Sequence, residues 1–284
     1  MSPVPRLLIL DEARRMRKAG VPDPAEDAAL LLSALTGREP LTLRLDTDTE
    51  LPPETVEAFR TLCAKRRERI PLQWLTGCQL FLGRTFRVGP DVLIPRPETA
   101  LLAERAIHRA GEMHPGSLLD LCCGSGCIAV SCAISLPAWR IDASDLSEAA
   151  LRTAKENADM LGAHIRFFRG DLFSPLDGMR YDIIVSNPPY IPSDDCLSLQ
   201  EEVKMEPIMA LDGGTDGLDF YRVITAESTR FLNPGGILLL EIGIGQDESV
   251  PALLKQNGFI GVTVLPDFNG IPRIVEACLP EDTP

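Results

Sequence analysis

Asn187, Pro188, Pro189 and Tyr190 follow directly on the apolar run YDIIVS at 181–186. Two consecutive prolines cannot continue a strand's hydrogen-bond ladder, so they hold a rigid loop at the strand end. There the Asn187 side-chain oxygen and the Pro188 carbonyl can each accept a hydrogen bond, and Tyr190 offers a flat face for stacking. Two acceptors fixed near each other match the two hydrogens of a planar –NH₂ group. No histidine lies close to the motif in sequence. A carboxylate such as Glu206 could serve as a general base or only anchor a loop.

A second group of residues gathers around DLCCGSG, Asp120 to Gly126. Glycines at the end of a parallel strand let the backbone approach a ligand closely, and the N-terminus of the next helix favours polar or anionic groups. Such turns also form for packing alone. No Walker lysine follows, and Cys122 stands where a three-glycine dinucleotide fingerprint would begin. Asp145, about twenty residues further on, has the reach to accept from both ribose hydroxyls of a nucleoside. Its alternative role is to cap the helix starting near Ser147. Asp142 lies on the same strand but farther from its end. Asp171 suits contact with an adenine amino group, with Leu172 as apolar cover for the ring, or else forms a simple turn. Polar groups on three successive strand ends together indicate a nucleoside.

Such residues meet only if regular elements carry them to one edge. From 98 onward the pattern alternates: helix 98–110, strand 118–121, a helix, strand 140–144, helix 147–161, strand 165–168 and strand 181–186. A helix at 217–231, the strand GILLLEIG, a helix at 246–257 and strands at 260–265 and 273–278 complete it. This predicts a mostly parallel sheet with helices on both faces. Residues 1–70 read instead as a helical module: Leu7, Leu8, Ala13 and Met16 recur at helical spacing, 25–35 is apolar-rich, and a third helix ends in the charged run 65–69. Between them, 71–97 loses the helical period, and Gly83 and Gly89 separate Phe81, Phe86, Val88 and Val92 as in a hairpin connector.

With 28 Lys and Arg against 41 Asp and Glu, the 284-residue chain carries a net charge of −13. That opposes tight, sequence-independent binding of a phosphate backbone, so no stable nucleic-acid complex is expected. No run is apolar for long enough to span a bilayer, and the expectation is a soluble cytoplasmic protein without membrane association. Four of the 8 cysteines crowd at Cys122, Cys123, Cys127 and Cys132, yet no CxxC pair exists and the histidines are distant. They read as small buried thiols, with no metal expected.

In these motifs the chain resembles the S-adenosylmethionine-dependent amino and amide methyltransferases, and more closely the release factor glutamine methyltransferase (PrmC/HemK) family. Beyond NPPY, the resemblance rests on PLQWLTG with Phe81, VLIPRPET at 92–99, DLCCGSGCIA, Asp145, GDLF and EPIMALDGGTDGL at 206–218. It implies a class I, Rossmann-like methyltransferase sheet over 98–284 and a release-factor-binding role for the helical domain 1–70. It implies S-adenosylmethionine as cofactor, demethylated to S-adenosylhomocysteine, on Cys122, Cys123, Gly124, Ser125, Gly126, Asp145, Leu172 and Asn187. The substrate would be the glutamine of the Gly-Gly-Gln motif of class I release factors, bound at Asn187, Pro188, Pro189 and Tyr190. Of these, Asn187, Pro188 and Tyr190 would form the catalytic set. Cys122 and Leu172 stand where the family often has glycine and an aromatic residue, and Ala100 replaces a usual glutamate beside Arg96, which could be a plain ion-pair residue. Two other readings compete: a methyltransferase acting on an exocyclic amine of a DNA or RNA base, and a non-catalytic scaffold.

Overall fold

Prolines open most of the N-terminal helices. α1 (Pro5–Lys18), α2 (Pro24–Thr36), α3 (Pro40–Leu45) and α4 (Pro53–Arg67) each carry proline in the first turn, where its missing N–H has no partner to lose. The computed structural model describes residues 4–281. A short α5 (Leu72–Thr76) ends at Gly77 in the left-handed conformation. Met16, Leu31, Leu32, Leu43, Phe59 and Cys63 are the buried heart of this helical unit, which reaches to Cys78. The periodic pattern foreshadowed α1, α2 and α4. It missed α3 and α5, since a helix of five or six residues spans too few turns to display a period.

A hairpin of β1 (Cys78–Phe81) and β2 (Arg84–Arg87) follows. Its two-residue turn has Leu82 and Gly83 both at positive φ, which matches the twist of the flanking strands. Then come α6 (Pro97–Gly111), β3 (Ser117–Leu121), α7 (Cys127–Ser135), β4 (Arg140–Asp145), α8 (Glu148–Leu161), β5 (Arg166–Arg169) and β6 (Tyr181–Ser186). The remainder is α9 (Glu201–Lys204), α10 (Asp219–Phe231), β7 (Leu232–Glu241), α11 (Ser249–Gln256), β8 (Ile260–Pro266) and β9 (Pro272–Cys278). Residues 79–199, with those from Glu206 onward, form the second unit. Gln200–Met205, which includes α9, belongs to the helical unit instead. There Glu202 pairs with Arg66 at 2.8 Å and Arg69 at 2.5 Å, while Arg66 also reaches Asp27 at 2.7 Å.

The second unit is built on one seven-stranded sheet in the order β5-β4-β3-β6-β7-β9-β8. β3 to β7 run parallel, while β9 runs antiparallel to β7 and to β8. Successive residues serve opposite faces: Leu118 lies in the core formed with α6, α7 and α8, and Leu119 in the core formed with α10 and α11. This is the doubly wound α/β arrangement expected for the C-terminal part. β3 has β4 on one side and β6 on the other, so the strand order reverses there. Ligands of such sheets bind at this switch point, outside the carboxyl ends of the strands. Among the described residues, no helix is long and apolar enough to cross a membrane.

Candidate active site

The turn after β3 depends on backbone that turns left-handed three times. Cys122, Gly124 and Gly126 have φ of 63°, 53° and 76°. Open space surrounds the position where a Cβ on Gly124 would stand, whereas one on Gly126 would come within 2.9 Å of the Ala154 Cβ. Gly124 therefore leaves room for a ligand, while Gly126 lets α7 approach α8. Asp120 is fully buried just before the turn. Its Oδ2 accepts from the Ala129 N–H at 2.9 Å, and its Oδ1 has no partner among the described residues. Burial, reinforced by Asp145, pushes its carboxyl up to about 8.

Asp145 ends β4 and braces the glycine turn: Oδ2 accepts from the Gly124 N–H at 2.9 Å and Oδ1 from the Ser147 N–H at 2.8 Å. Capping of α8 falls to Ser147, whose hydroxyl accepts from the Ala150 N–H at 3.1 Å. A carboxylate offers about four acceptor sites, so two backbone donors leave lone pairs free for hydroxyls. Burial raises the Asp145 carboxyl, opposed by the Gly124, Ser147 and Leu146 N–H groups. Asp142 is committed elsewhere, to a two-pronged pair with Arg166 at 2.7 and 2.5 Å and to the Tyr181 hydroxyl at 3.0 Å. After β5, Leu172 takes a positive φ of 44°. Positive φ at Cys122 and Leu172, unusual away from glycine, thus falls on two of the positions expected to hold the cofactor.

These strand ends open on a cavity of about 410 Å³. Cys122, Cys123, Gly124 and Ser125 line it with Asp145, Asp171 and Leu172; Asn187, Pro189 and Thr99 also reach its wall. Gly126, Pro188 and Tyr190 do not. Burial raises the thiols of Cys122, Cys123, Cys127 and Cys132, which keeps them protonated and inert. Among the described residues no three His, Cys, Asp or Glu side chains are grouped to hold a metal ion.

In the Asn-Pro-Pro-Tyr turn the Asn187 Nδ2 donates to Thr99 Oγ1 at 3.1 Å. That bond leaves Asn187 Oδ1 without a partner, and the Pro188 carbonyl has none among the described residues either. Tyr190 turns away: its hydroxyl lies 3.4 Å from Glu241 Oε1, and its ring packs with the core beside α10. The turn is clamped from 211–217. Ile191 N–H donates to the Leu211 carbonyl at 2.9 Å, and Gly213 N–H to the Ile191 carbonyl at 2.8 Å. Gln246 Nε2 joins the Tyr190 and Gly217 carbonyls at 3.0 and 3.1 Å. Glu206 is occupied as a loop anchor, accepting from the Ile94 N–H at 2.8 Å and pairing with Arg96. Thr99, Glu241 and Gln246 escaped the sequence reading, although a lone carboxylate within LLLEIG was a visible anomaly.

Residues 9–77 match the family model "PrmC N-terminal domain", and 98–203 match "Methyltransferase small domain". The release factor glutamine methyltransferase of Geobacter sulfurreducens is 44% identical, covering 94% of both chains. That of Cereibacter sphaeroides is 42% identical over 94% of this chain and 95% of its own. The chain belongs to the release factor glutamine methyltransferase family. As a member it is a methyltransferase, and neither the scaffold reading nor the base-modifying one is favoured. Solved structures extend the likeness of fold alone: a methyltransferase from Pyrococcus furiosus is 16% identical with a TM-score of 0.54, covering 70% of this chain and 90% of its own. The 16S rRNA N2 G1207 methyltransferase of Thermus thermophilus, solved with AdoMet and guanosine, is 19% identical with a TM-score of 0.51, over 71% of this chain and 49% of that one.

Proposed function

We propose that this protein methylates the side-chain amide nitrogen, N5, of the glutamine in the Gly-Gly-Gln motif of class I peptide chain release factors, a cytoplasmic step in translation termination. The observation that carries this reading is the pair of unengaged acceptors, Asn187 Oδ1 and the Pro188 carbonyl, on a turn whose carboxamide –NH₂ is already tied to Thr99. A primary amide presents two hydrogens to such a pair. The family relationship names the amide.

The cofactor set fits S-adenosylmethionine. The remaining lone pairs of Asp145 and the open Gly124 backbone suit a hydroxylated nucleoside, with Leu172 as apolar cover. When bound, it supplies an electrophilic methyl on a sulfonium. An amide nitrogen is a poor nucleophile because its lone pair is delocalised into the carbonyl, so orientation carries much of the catalysis. Asn187 Oδ1 and the Pro188 carbonyl hold the two amide hydrogens, aim the nitrogen, and favour the positive charge that develops on it. Glu206 is committed to the 94–96 loop, and no side chain is assigned as general base.

Purified protein given labelled S-adenosylmethionine, with intact release factor, its Gly-Gly-Gln peptide, tRNA, rRNA and DNA in parallel, should label the release factor at glutamine. Label in nucleic acid alone overturns the reading. Asn187→Ala should lower the single-turnover rate roughly a hundredfold, the scale of losing a positioned electrostatic contact, with little change in cofactor affinity or melting temperature.

A further inference from the structure

Ile208 and Met209 line the cavity, yet they are 59% and 47% exposed. Large apolar side chains left in water at a cavity mouth mark a surface that a partner covers. Their exposure is not fraying. Both stand on a single 3₁₀ turn, Ile208–Ala210, in which the Ala210 N–H donates to the Pro207 carbonyl at 2.8 Å and the Leu211 and Asp212 N–H groups donate to the Ile208 carbonyl at 3.0 and 2.9 Å. Buried Glu206 pins one end of this turn through the Ile94 N–H and Arg96, and buried Leu211 pins the other.

We propose that Ile208 and Met209 are specificity-determining residues: they seat the two glycines that precede the target glutamine of the release factor and exclude larger side chains there. This rests on the reading of the Asn-Pro-Pro-Tyr turn as the amide site. The rim and that turn are neighbours, because the Ile191 N–H donates to the Leu211 carbonyl and Asp212 bridges to Ile191. The expected cofactor positions Cys122, Asp145 and Leu172 follow β3, β4 and β5, whereas the Asn-Pro-Pro-Tyr turn leaves β6, on the other side of β3. Residues 207–212 therefore border the amide site rather than the nucleoside.

A glutamine side chain carries its nitrogen about 5 Å from its own Cα, so with hydrogen bonds of about 3 Å the substrate backbone passes within about 8 Å of the two acceptors. At that depth the residues before the glutamine cross the cavity mouth, where Ile208 and Met209 stand. Glycine lets a backbone approach such a surface closely. A Cβ in place of either glycine hydrogen would press on side chains whose turn is pinned at both ends. The same two residues thus attract a bare backbone and repel a substituted one, which is how a pocket selects.

Methylation of intact release factor, and of the same factor with its motif changed to Gly-Ala-Gln, should be measured for wild type, the double variant Ile208→Ala with Met209→Ala, and the double variant Ile208→Leu with Met209→Leu. Melting curves and calorimetric affinity for S-adenosylmethionine accompany each. Both side chains are exposed, so melting temperatures should stay within about 3 °C of wild type. In kcat/KM, wild type should prefer Gly-Gly-Gln by at least about a hundredfold. The alanine pair should raise KM for the Gly-Gly-Gln factor about tenfold with kcat within about threefold, and should cut the preference to about tenfold or less. The leucine pair should keep KM and preference within about threefold of wild type. An alanine pair that loses activity on both factors alike, with the preference unmoved, overturns the proposal. So does a fall in cofactor affinity with KM for the factor unchanged, which would put the two side chains over the cofactor instead. Wild type that labels no release factor overturns the functional reading, and the glycine seat with it; an active wild type matched by the alanine pair on both factors overturns the seat alone.

Discussion

Asp145 was expected to hold a ribose, and the structure gives it a second task. It ties the Gly124 and Ser147 N–H groups together, so it shapes the turn that would meet the cofactor. Asp145→Ala removes a charged acceptor worth about 1.5–3 kcal/mol per hydrogen bond, and affinity for S-adenosylmethionine should fall at least about tenfold by calorimetry. Asp145→Asn keeps one acceptor oxygen and should fall less. Unchanged affinity in a folded Asp145→Ala protein removes the residue from the cofactor site. Cys122 poses the opposite case, a side chain whose backbone is uncomfortable. Its φ of 63° favours glycine, and relief of order 1 kcal/mol in Cys122→Gly is offset by the roughly 0.5–1 kcal/mol that glycine loses in unfolded-chain entropy. The melting temperature should move by less than about 3 °C, with cofactor affinity preserved. A large loss of affinity would assign the thiol a direct role.

At the scale of elements, the glycine-rich stretch after Glu206 acts as a clamp on the Asn-Pro-Pro-Tyr turn. A Cβ on Gly213 would stand 2.7 Å from the Tyr190 Cα, and one on Gly217 would stand 2.4 Å from the Tyr190 carbonyl oxygen. Backbone cannot yield as a flexible side chain does, so Gly213→Ala or Gly217→Ala must displace the turn. Displacement of about 1 Å can cost about a hundredfold in rate. Both variants should therefore lose methyl transfer far more than cofactor affinity, while Gly111→Ala, which meets nothing within 4 Å, should match wild type in both. Equal kinetics for all three would show that the clamp does not position the turn. The sequence announced EPIMALDGGTDGL only as a string. Its purpose depends on which backbone lies beside it, and the parallel bridge between Ile191 and Asp212 supplies that neighbour.

At the scale of the whole molecule, the helical unit keeps a buried charge network that includes a segment far along the chain. Arg66 meets Asp27 and Glu202, and Glu202 also holds Arg69. These hydrogen bonds bring the Glu202 carboxyl down to about 2, against the cost of its burial. A depressed carboxylate stabilises the fold above its unfolded value near 4.5 and loses that contribution as pH falls toward 2. Glu202→Gln should accordingly lower stability at pH 7 by about 1.5–3 kcal/mol and shrink the difference from wild type below about pH 4, as measured by denaturant unfolding. We further propose that the helical domain, residues 1–70 in the sequence reading, makes a second contact with the release factor. Intact factor should then exceed its isolated Gly-Gly-Gln peptide in kcat/KM by at least about tenfold, the difference lying mainly in KM. Equal values would leave the helical domain without a role in substrate binding.

What the sequence determined by itself was whatever is encoded by neighbours along the chain. The Asn-Pro-Pro-Tyr turn, the glycines after β3 and the aspartate ending β4 are short covalent strings whose stiffness, reach and polarity hold in any context. The apolar run at 181–186 and the helical patterns likewise placed β6 and located α6, α8 and α10 to within two residues. Tertiary structure decided the rest, because the deciding contacts join residues remote in sequence. Thr99 and Asn187, 88 positions apart, meet only when α6 and the end of β6 reach one edge of the sheet. Tyr190 finds Glu241, 51 positions away, rather than the cavity it was expected to line. Asp142 and Asp145 look alike as aspartates three residues apart, and only the arrival of Arg166 from β5 and Tyr181 from β6 reserves one for structure and leaves the other with lone pairs to offer. A side chain's type sets which hydrogen bonds it can make; the packing of distant strands sets which of them remain unused at the site.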